Sequence, residues 1–233
     1  MLERGLRKEQ AGFCHSRSCI DQINTLTVII EQSLEFQSPL YMLFVDYQRA
    51  FDSLNRAWIW EELKVRGLPS KFINIIKEGY EGFCCRVLHE GQLSDSIKTS
   101  SGARQGRLLS PLVFLLVLDG VLCRALDGKK RGLTWRLKDL EDMEYADDTC
   151  LVSHKCEHMQ KLDVLWEESK KVGLEINHLK TEEIRVNTIT NQVLRLNGED
   201  IKRSSDFCYL GSVVADDGGA GTVVDVRMRK ARG

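Results

Sequence analysis

The sequence predicts an α/β chain in which an antiparallel sheet is backed by helices. Tyr41-Met42-Leu43-Phe44-Val45 is an unbroken apolar, β-prone run that ends on Asp46, the pattern of a buried strand. The stretches 140–143 and 150–152 flank Glu144-Tyr145-Ala146-Asp147-Asp148-Thr149 and read as two short strands meeting at a hairpin tip. Around these strands, apolar residues recur at helical spacing in residues 20–35, 53–65, 70–80 and 157–172.

Each element has its own signal. Ile23, Leu26, Ile29, Ile30 and Leu34 form one face of the first helix, and Pro39 ends that region. Asp52 or Ser53 is placed to cap a second helix carrying Trp58, Ile59, Leu63 and Val65, which Gly67 and Pro69 close. A third, over 70–80, carries Phe72, Ile73, Ile75 and Ile76. Residues 83–100 alternate apolar and polar around Glu90-Gly91 and read as a hairpin. Gly102 and Gly106 permit close backbone approach in a loop that runs to Ser110, a cap for a helix opened by Pro111. The helix over 157–172, with Met159, Leu162, Leu165 and Trp166, stops at Gly173. Residues 216–221 read as a flexible linker, and 224–231 as the start of a further helix.

Composition narrows the function. At 233 residues there is ample core for one large domain or two small ones. A formal charge of −1 gives no overall basic field and weighs against a stand-alone nucleic-acid binder. Lys129-Lys130-Arg131 with Arg136 and Lys138, and Arg227, Arg229, Lys230 and Arg232, read as solvated faces. Eight cysteines with no CxxC pair read as free thiols in a reducing compartment. Cys150, His154, Cys156 and His158 are all capable zinc donors, at a spacing that fits no common zinc module. The charged first ten residues lack the apolar core of a secretory signal. The apolar run 108–123 is shorter than a bilayer span and contains Asp119 and Gly120, so it reads as a buried helix and no membrane partner is expected.

The chemistry concentrates on three carboxylates. Asp147 and Asp148 are adjacent and repel unless a cation neutralises them, and hard oxygen donors suit Mg²⁺. An Asp-Asp turn by itself is ordinarily a solvated acidic turn. A buried strand delivering Asp46 beside it supplies the further ligand that a two-metal site requires.

Phe44-Val45-Asp46-Tyr47-Gln48-Arg49-Ala50-Phe51-Asp52, the Gly102–Pro111 loop, Tyr145-Ala146-Asp147-Asp148 and Leu174–Thr181 together resemble the reverse transcriptases of non-LTR (LINE-type) retrotransposons. The resemblance covers nearly the whole chain, in the family's motif order. Group II intron reverse transcriptases also carry Tyr-Ala-Asp-Asp, but Ala50-Phe51-Asp52 and the Arg104 before Gln105-Gly106 lean towards the LINE-type family.

The resemblance implies a right-hand polymerase fold: 1–40 partial fingers, 41–186 an α+β palm, 187–215 a hairpin like the primer grip, and 216–233 the start of a thumb. It implies RNA-directed DNA polymerase activity, joining a dNTP to the 3′-hydroxyl of a DNA primer on an RNA template, with Mg²⁺, or Mn²⁺ as a substitute. Asp46, Asp147 and Asp148 would be the catalytic, metal-holding residues. Tyr47, Phe51, Gln105, Gly106 and Lys180 would bind the nucleotide: Phe51 excluding a ribose 2′-hydroxyl, Gln105 and Gly106 shaping the floor, Lys180 near the triphosphate. The family's Gln-x-Gly-Phe segment matches Gln10–Phe13, although Cys14 and Ser16 stand where members often carry Arg and Gly. The missing upstream fingers strands, thumb and endonuclease make this read as a truncated copy of a longer polyprotein. The alternative is a catalytically inactive or co-opted fragment acting at most as a binding module. The expected location is intracellular: the nucleus by resemblance, the cytoplasm as the alternative.

Overall fold

One five-stranded sheet carries the molecule, and both of its faces are covered. The computed structural model describes residues 5–82, 84–103, 109–135 and 138–219. The chain opens with α1 (Cys19–Glu35), β1 (Leu40–Val45) and β2 (Tyr47–Gln48), followed by α2 (Ala50–Ser53), α3 (Arg56–Val65) and α4 (Ser70–Glu78). Next come β3 (Cys84–Cys85), β4 (Leu88–His89), β5 (Gln92–Leu93), β6 (Ile97–Lys98) and α5 (Ser110–Leu126). Then follow β7 (Leu133–Trp135), β8 (Lys138–Leu140), β9 (Asp142–Tyr145) and β10 (Asp148–Ser153), a 3-10 turn over Cys156–Gln160, and α6 (Lys161–Lys171). The last strands are β11 (Glu175–Ile176), β12 (Glu182–Val186), β13 (Arg195–Leu196), β14 (Glu199–Asp200), β15 (Lys202–Arg203), β16 (Asp206–Tyr209) and β17 (Ser212–Ala215).

The sheet order is β15-β12-β1-β10-β9, with β1 central. All pairings are antiparallel except β12 with β15. The central strand explains its own apolar run: a strand buried on both faces has no polar side to alternate with. Tyr41, Leu43 and Val45 join Leu63 of α3, Phe114 and Leu118 of α5, and Leu162 and Leu165 of α6 in one core. Leu40, Met42 and Phe44 join Leu26, Ile29 and Ile30 of α1 and Tyr209 and Val214 of the β16–β17 hairpin in the other.

The helices begin and end for identifiable reasons. Ser18 and Asp21 form a reciprocal capping box on α1. The second predicted helix divides, because residues 50–53 close on themselves as α2; the cap of α3 is therefore Asn55, whose side chain accepts from the Ala57 N–H at 2.9 Å, and not Asp52 or Ser53. Ser110 lies inside the first turn of α5, one place after the capping position. The predicted hairpin over 83–100 is two nested pairs, β3 with β6 and β4 with β5. Leu140 belongs to β8, so the strand before the acidic turn starts at Asp142.

The four zinc-capable residues do not converge. Cys150 points into the core beneath α1 while Cys156 points into the opposite one, and His154 Nδ1 is hydrogen-bonded at 2.8 Å to the Pro39 carbonyl. Among the described residues no helix is long and apolar enough to cross a membrane. The predicted helix at 224–231 and the basic cluster of Arg227, Arg229, Lys230 and Arg232 lie outside the described residues.

Candidate functional site

The three carboxylates meet at one end of the sheet. Val45 of β1 faces Thr149 of β10, so the next step of the same register sets Asp46 beside Asp148. Asp46 leaves the strand with its backbone held on both sides. Its N–H donates to Thr181 Oγ1 at 3.3 Å, and its carbonyl accepts from the Asn177 N–H at 2.7 Å. Asp147 sits in the two-residue turn between β9 and β10, closed by Tyr145 opposite Asp148. A turn this short projects its residues beyond the sheet.

The electrostatics follow from that crowding. The Asp148 carboxyl is pushed up to about 6, first by partial burial and then by the charges of Asp147 and Asp46. A divalent cation would relieve the repulsion, and the donors are the hard oxygens Mg²⁺ prefers. Among the described residues no group of three or more His, Cys, Asp or Glu side chains is arranged to hold a metal ion, the three aspartates included. An ion held here would complete its shell with water or phosphate oxygens, as Mg²⁺ commonly does. The Lys180 ammonium reaches to 4.0 Å from Asp46 Oδ2 on a side chain 70% exposed.

The residues around this end divide. Phe51 is half-buried and stacks on Phe114, ring centroids 4.3 Å apart. The glycine loop docks against the same motif: Gly102 N–H donates to Leu54 O at 2.8 Å, and Ala103 N–H to Phe51 O at 2.7 Å. Gly102 has φ +84°, and a Cβ there would stand 2.8 Å from the Asp52 carbonyl oxygen, so only glycine fits. Gln105 and Gly106 lie outside the described residues. The expectation for Tyr47 is corrected. Strand alternation puts its ring in the row of Tyr41, Leu43 and Val45, in the core, with its hydroxyl 3.3 Å from Ser169 Oγ, so the ring is not offered to a nucleotide. The β16–β17 hairpin lies over the opposite face, where Phe207 stacks on Phe44 at 4.4 Å.

Sequence reasoning missed a layer beneath the acidic turn. Residues 9–11 run alongside β9: Ala11 N–H donates to Glu144 O at 2.8 Å, and Glu144 N–H to Glu9 O at 3.3 Å. The Arg7 guanidinium bonds both Asp142 oxygens at 2.7 and 2.9 Å and also pairs with Glu144. Asp119 of α5 accepts from the Arg7 N–H at 2.6 Å and pairs with Arg66. Gln10 was visible only as part of a Gln-x-Gly-Phe pattern; nothing local marks it as a partner of the turn.

A family model described as reverse transcriptase (RNA-dependent DNA polymerase) matches residues 2–214. The chain is 31% identical over 113 residues, 48% of its length, to the Pol polyprotein of the type-2 retrotransposable element R2DM of Drosophila melanogaster, of which it covers 11%. It is 25% identical over 218 residues to the Pol polyprotein of the type-1 retrotransposable element R2 of Bradysia coprophila, covering 86% of this chain and 24% of that protein. Of solved structures, telomerase from Candida albicans in complex with a fragment of telomeric RNA superposes with a TM-score of 0.60 at 14% identity, over 95% of this chain and 36% of that one. Apo telomerase from Candida tropicalis, truncated from its C-terminal domain, gives 0.59 at 18% identity, over 92% and 43%. These last two establish a shared right-hand polymerase fold. The chain thus spans a quarter or less of the retroelement relatives it matches.

Proposed function

The chain belongs to the reverse transcriptase (RNA-dependent DNA polymerase) family, and we propose that it is the catalytic core with which a non-LTR retrotransposon polymerase extends a DNA primer on an RNA template. The observation that carries this reading is the meeting of Asp46, Asp147 and Asp148 at adjacent strand ends, where two of the charges oppose ionisation of the third. The reaction would be attack of the primer 3′-hydroxyl on the α-phosphorus of a dNTP, with pyrophosphate leaving.

Asp46 and Asp147 would be direct ligands of two Mg²⁺ ions, with Mn²⁺ as a substitute, and Asp148 a nearby ligand or field-setting carboxylate. When bound, such ions lower the pKa of the hydroxyl and stabilise charge on the leaving oxygen. The remaining work falls to the protein's own residues. Thr181 and Asn177 fix the backbone from which Asp46 projects. Lys180, exposed and long, would turn from Asp46 to the triphosphate and pass a proton from Nζ to the departing pyrophosphate oxygen. Phe51, braced by Phe114, would wall off the sugar so that a 2′-hydroxyl collides. Gly102 and Ala103 dock against residues 51–54, and by the family resemblance Gln105 and Gly106 would shape the nucleotide floor. The β16–β17 hairpin would hold the primer end.

The test is primer extension by the purified chain on an annealed RNA template, with Mg²⁺ or Mn²⁺ and with Asp46→Asn and Asp147→Asn as controls. Metal-dependent dNTP incorporation, lost in both variants, is expected. A folded chain that incorporates nothing with either metal, or incorporation that survives both substitutions, overturns the reading in favour of an inactive fragment.

A further inference from the structure

Ala146, immediately before Asp147, has φ +57°, a left-handed conformation that L side chains rarely adopt. Such a residue persists when its surroundings over-determine it. Here the hairpin pairing of Tyr145 with Asp148 closes the turn, and one side chain holds the residue from beneath. Gln10 Oε1 accepts from the Ala146 N–H at 2.9 Å, and Gln10 Nε2 donates to the Ala146 carbonyl at 3.3 Å. Both polar groups of the strained residue are therefore taken by one amide. The same Oε1 accepts from the Gly12 N–H at 2.7 Å, and the same Nε2 donates to Glu144 Oε2 at 3.1 Å. A primary amide has two acceptor sites and two donors, and all four are used. Gln10 is fully buried, so water does not compete.

The seat is as tight as it is satisfied. A Cβ at Gly12 would stand 2.1 Å from the Ala146 nitrogen, so the backbone at residue 12 lies directly against the turn. The neighbouring Gln22 Nε2 reaches the Glu9 and Glu144 carbonyls at 3.1 and 3.3 Å, but no bond from it to Ala146 is formed. Gln10 thus differs from Gln22 in hydrogen-bonding the residue that aims the acidic pair.

We infer that Gln10 is a positioning residue: its side-chain amide grips the Ala146 peptide from beneath and so fixes the height and direction of Asp147 and Asp148. The inference rests on the proposed role of those carboxylates. Glutamine is the fitting residue type for this seat. A carboxylate would offer no donor to the Ala146 carbonyl and would face Glu144 with like charge, and an apolar side chain would strand buried polar groups.

The test combines three measurements on the purified chain: amide hydrogen exchange at residue 146, Mn²⁺ binding followed by electron paramagnetic resonance, and steady-state primer extension. The variants are Gln10→Met, which keeps length and volume but no hydrogen bond, and Gln22→Ala, which leaves the grip intact. In the unmodified chain the Ala146 amide should be strongly protected although it lies in a two-residue turn. Gln10→Met should remove that protection and weaken Mn²⁺ binding about tenfold, the scale expected when a group supporting a metal ligand is lost. It should also lower kcat about 100-fold, as misplacement of reacting groups does, with KM for dNTP unchanged. Gln22→Ala should change none of these. If Gln10→Met does not fold, Gln10→Asn, which keeps the amide but falls a methylene short, takes its place.

An Ala146 amide that exchanges at the rate of an open turn in the unmodified chain overturns the inference with no variant needed. So does a folded Gln10→Met protein with unchanged exchange and Mn²⁺ affinity. If the unmodified chain binds Mn²⁺ through Asp147 but extends no primer, the polymerase reading fails, while the exchange and binding results still decide the role of Gln10.

Discussion

Lys180 separates what a residue does for stability from what it does for chemistry. Its ammonium stands 4.0 Å from Asp46 in a solvent-facing pair, which contributes only about 0–1 kcal/mol. Lys180→Ala is expected to change the unfolding free energy measured in urea by less than about 0.5 kcal/mol. Primer extension should nevertheless slow about 100-fold, seen in kcat, if the lysine supplies the proton. Phe51 presents the opposite balance. Its ring is half-buried against Phe114, so Phe51→Ala is expected to cost about 3 kcal/mol in urea denaturation, besides admitting ribonucleotides. The acidic residues were legible because distinctive side chains stand at the ends of recognisable strands. Tyr47 was misread although the period of two that turns it away from Asp46 and into the core was itself visible in residues 41–47. Gln10 was not legible, because its partner Ala146 lies 136 residues away and no local pattern links them.

Helix α6 shows what an element hides until it is packed. The sequence places Lys161 beside Leu162 within the helical pattern of 157–172, where a lysine is ordinarily a solvated charge; in the fold 156–160 is a 3-10 turn and Lys161 opens α6. In the fold this lysine is fully buried. Its ammonium donates at 2.7 Å to the carbonyls of both Glu141 and Val152, and lies 3.2 Å from Glu141 Oε2. Burial lowers its pKa against the opposing pull of Glu141, so the site is a tether with a real desolvation cost. It ties the start of α6 to β10 and to the residue that leads into β9, the two strands that carry the acidic turn. Lys161→Met fits the space but leaves the Glu141 carboxylate without its charged partner. A loss of about 3 kcal/mol is expected by chemical denaturation, with faster amide exchange in β10. Helical periodicity located the element; only tertiary packing reveals that one of its polar positions faces inward.

At the scale of the whole molecule the carboxylates set the response to pH. Beneath the turn, Asp119, Asp142 and Glu144 share Arg7 and Arg66, with Asp127 3.1 Å from Arg7 Nε, so acid groups outnumber bases. Burial, and then the Asp142 charge, raise the Glu144 pKa well above 4.5, against the lowering effect of Arg7. Burial likewise raises Glu183 despite Arg185, and raises Asp163 and Asp216. Asp148 is pushed to about 6, whereas Glu168 is lowered, first by its hydrogen bond from Lys171. A carboxyl raised on folding binds its proton more readily in the native chain than in the unfolded one. Stability therefore rises as pH falls through the raised folded pKa, and the gain is complete below the unfolded value. Glu168 has the opposite sign, and its loss comes only as pH falls below the usual carboxylate range. The unliganded chain should accordingly melt at a higher temperature at about pH 5.5 than at about pH 7.5, the reverse of a protein whose acids are held by salt bridges. Glu144→Gln removes the charge that burial opposes and keeps an acceptor for Arg7, but turns an NH2 toward Gln10 Nε2, which Glu144 Oε2 accepts from in the unmodified chain. It is expected to show a smaller rise in melting temperature on acidification than the unmodified chain. Thermal denaturation of both proteins at the two pH values makes the comparison. A Glu144→Gln protein that melts lower at neutral pH, with the pH dependence of the unmodified chain, would mean that Arg7 holds Glu144 ionised and that the network beneath the acidic turn is an ordinary salt bridge.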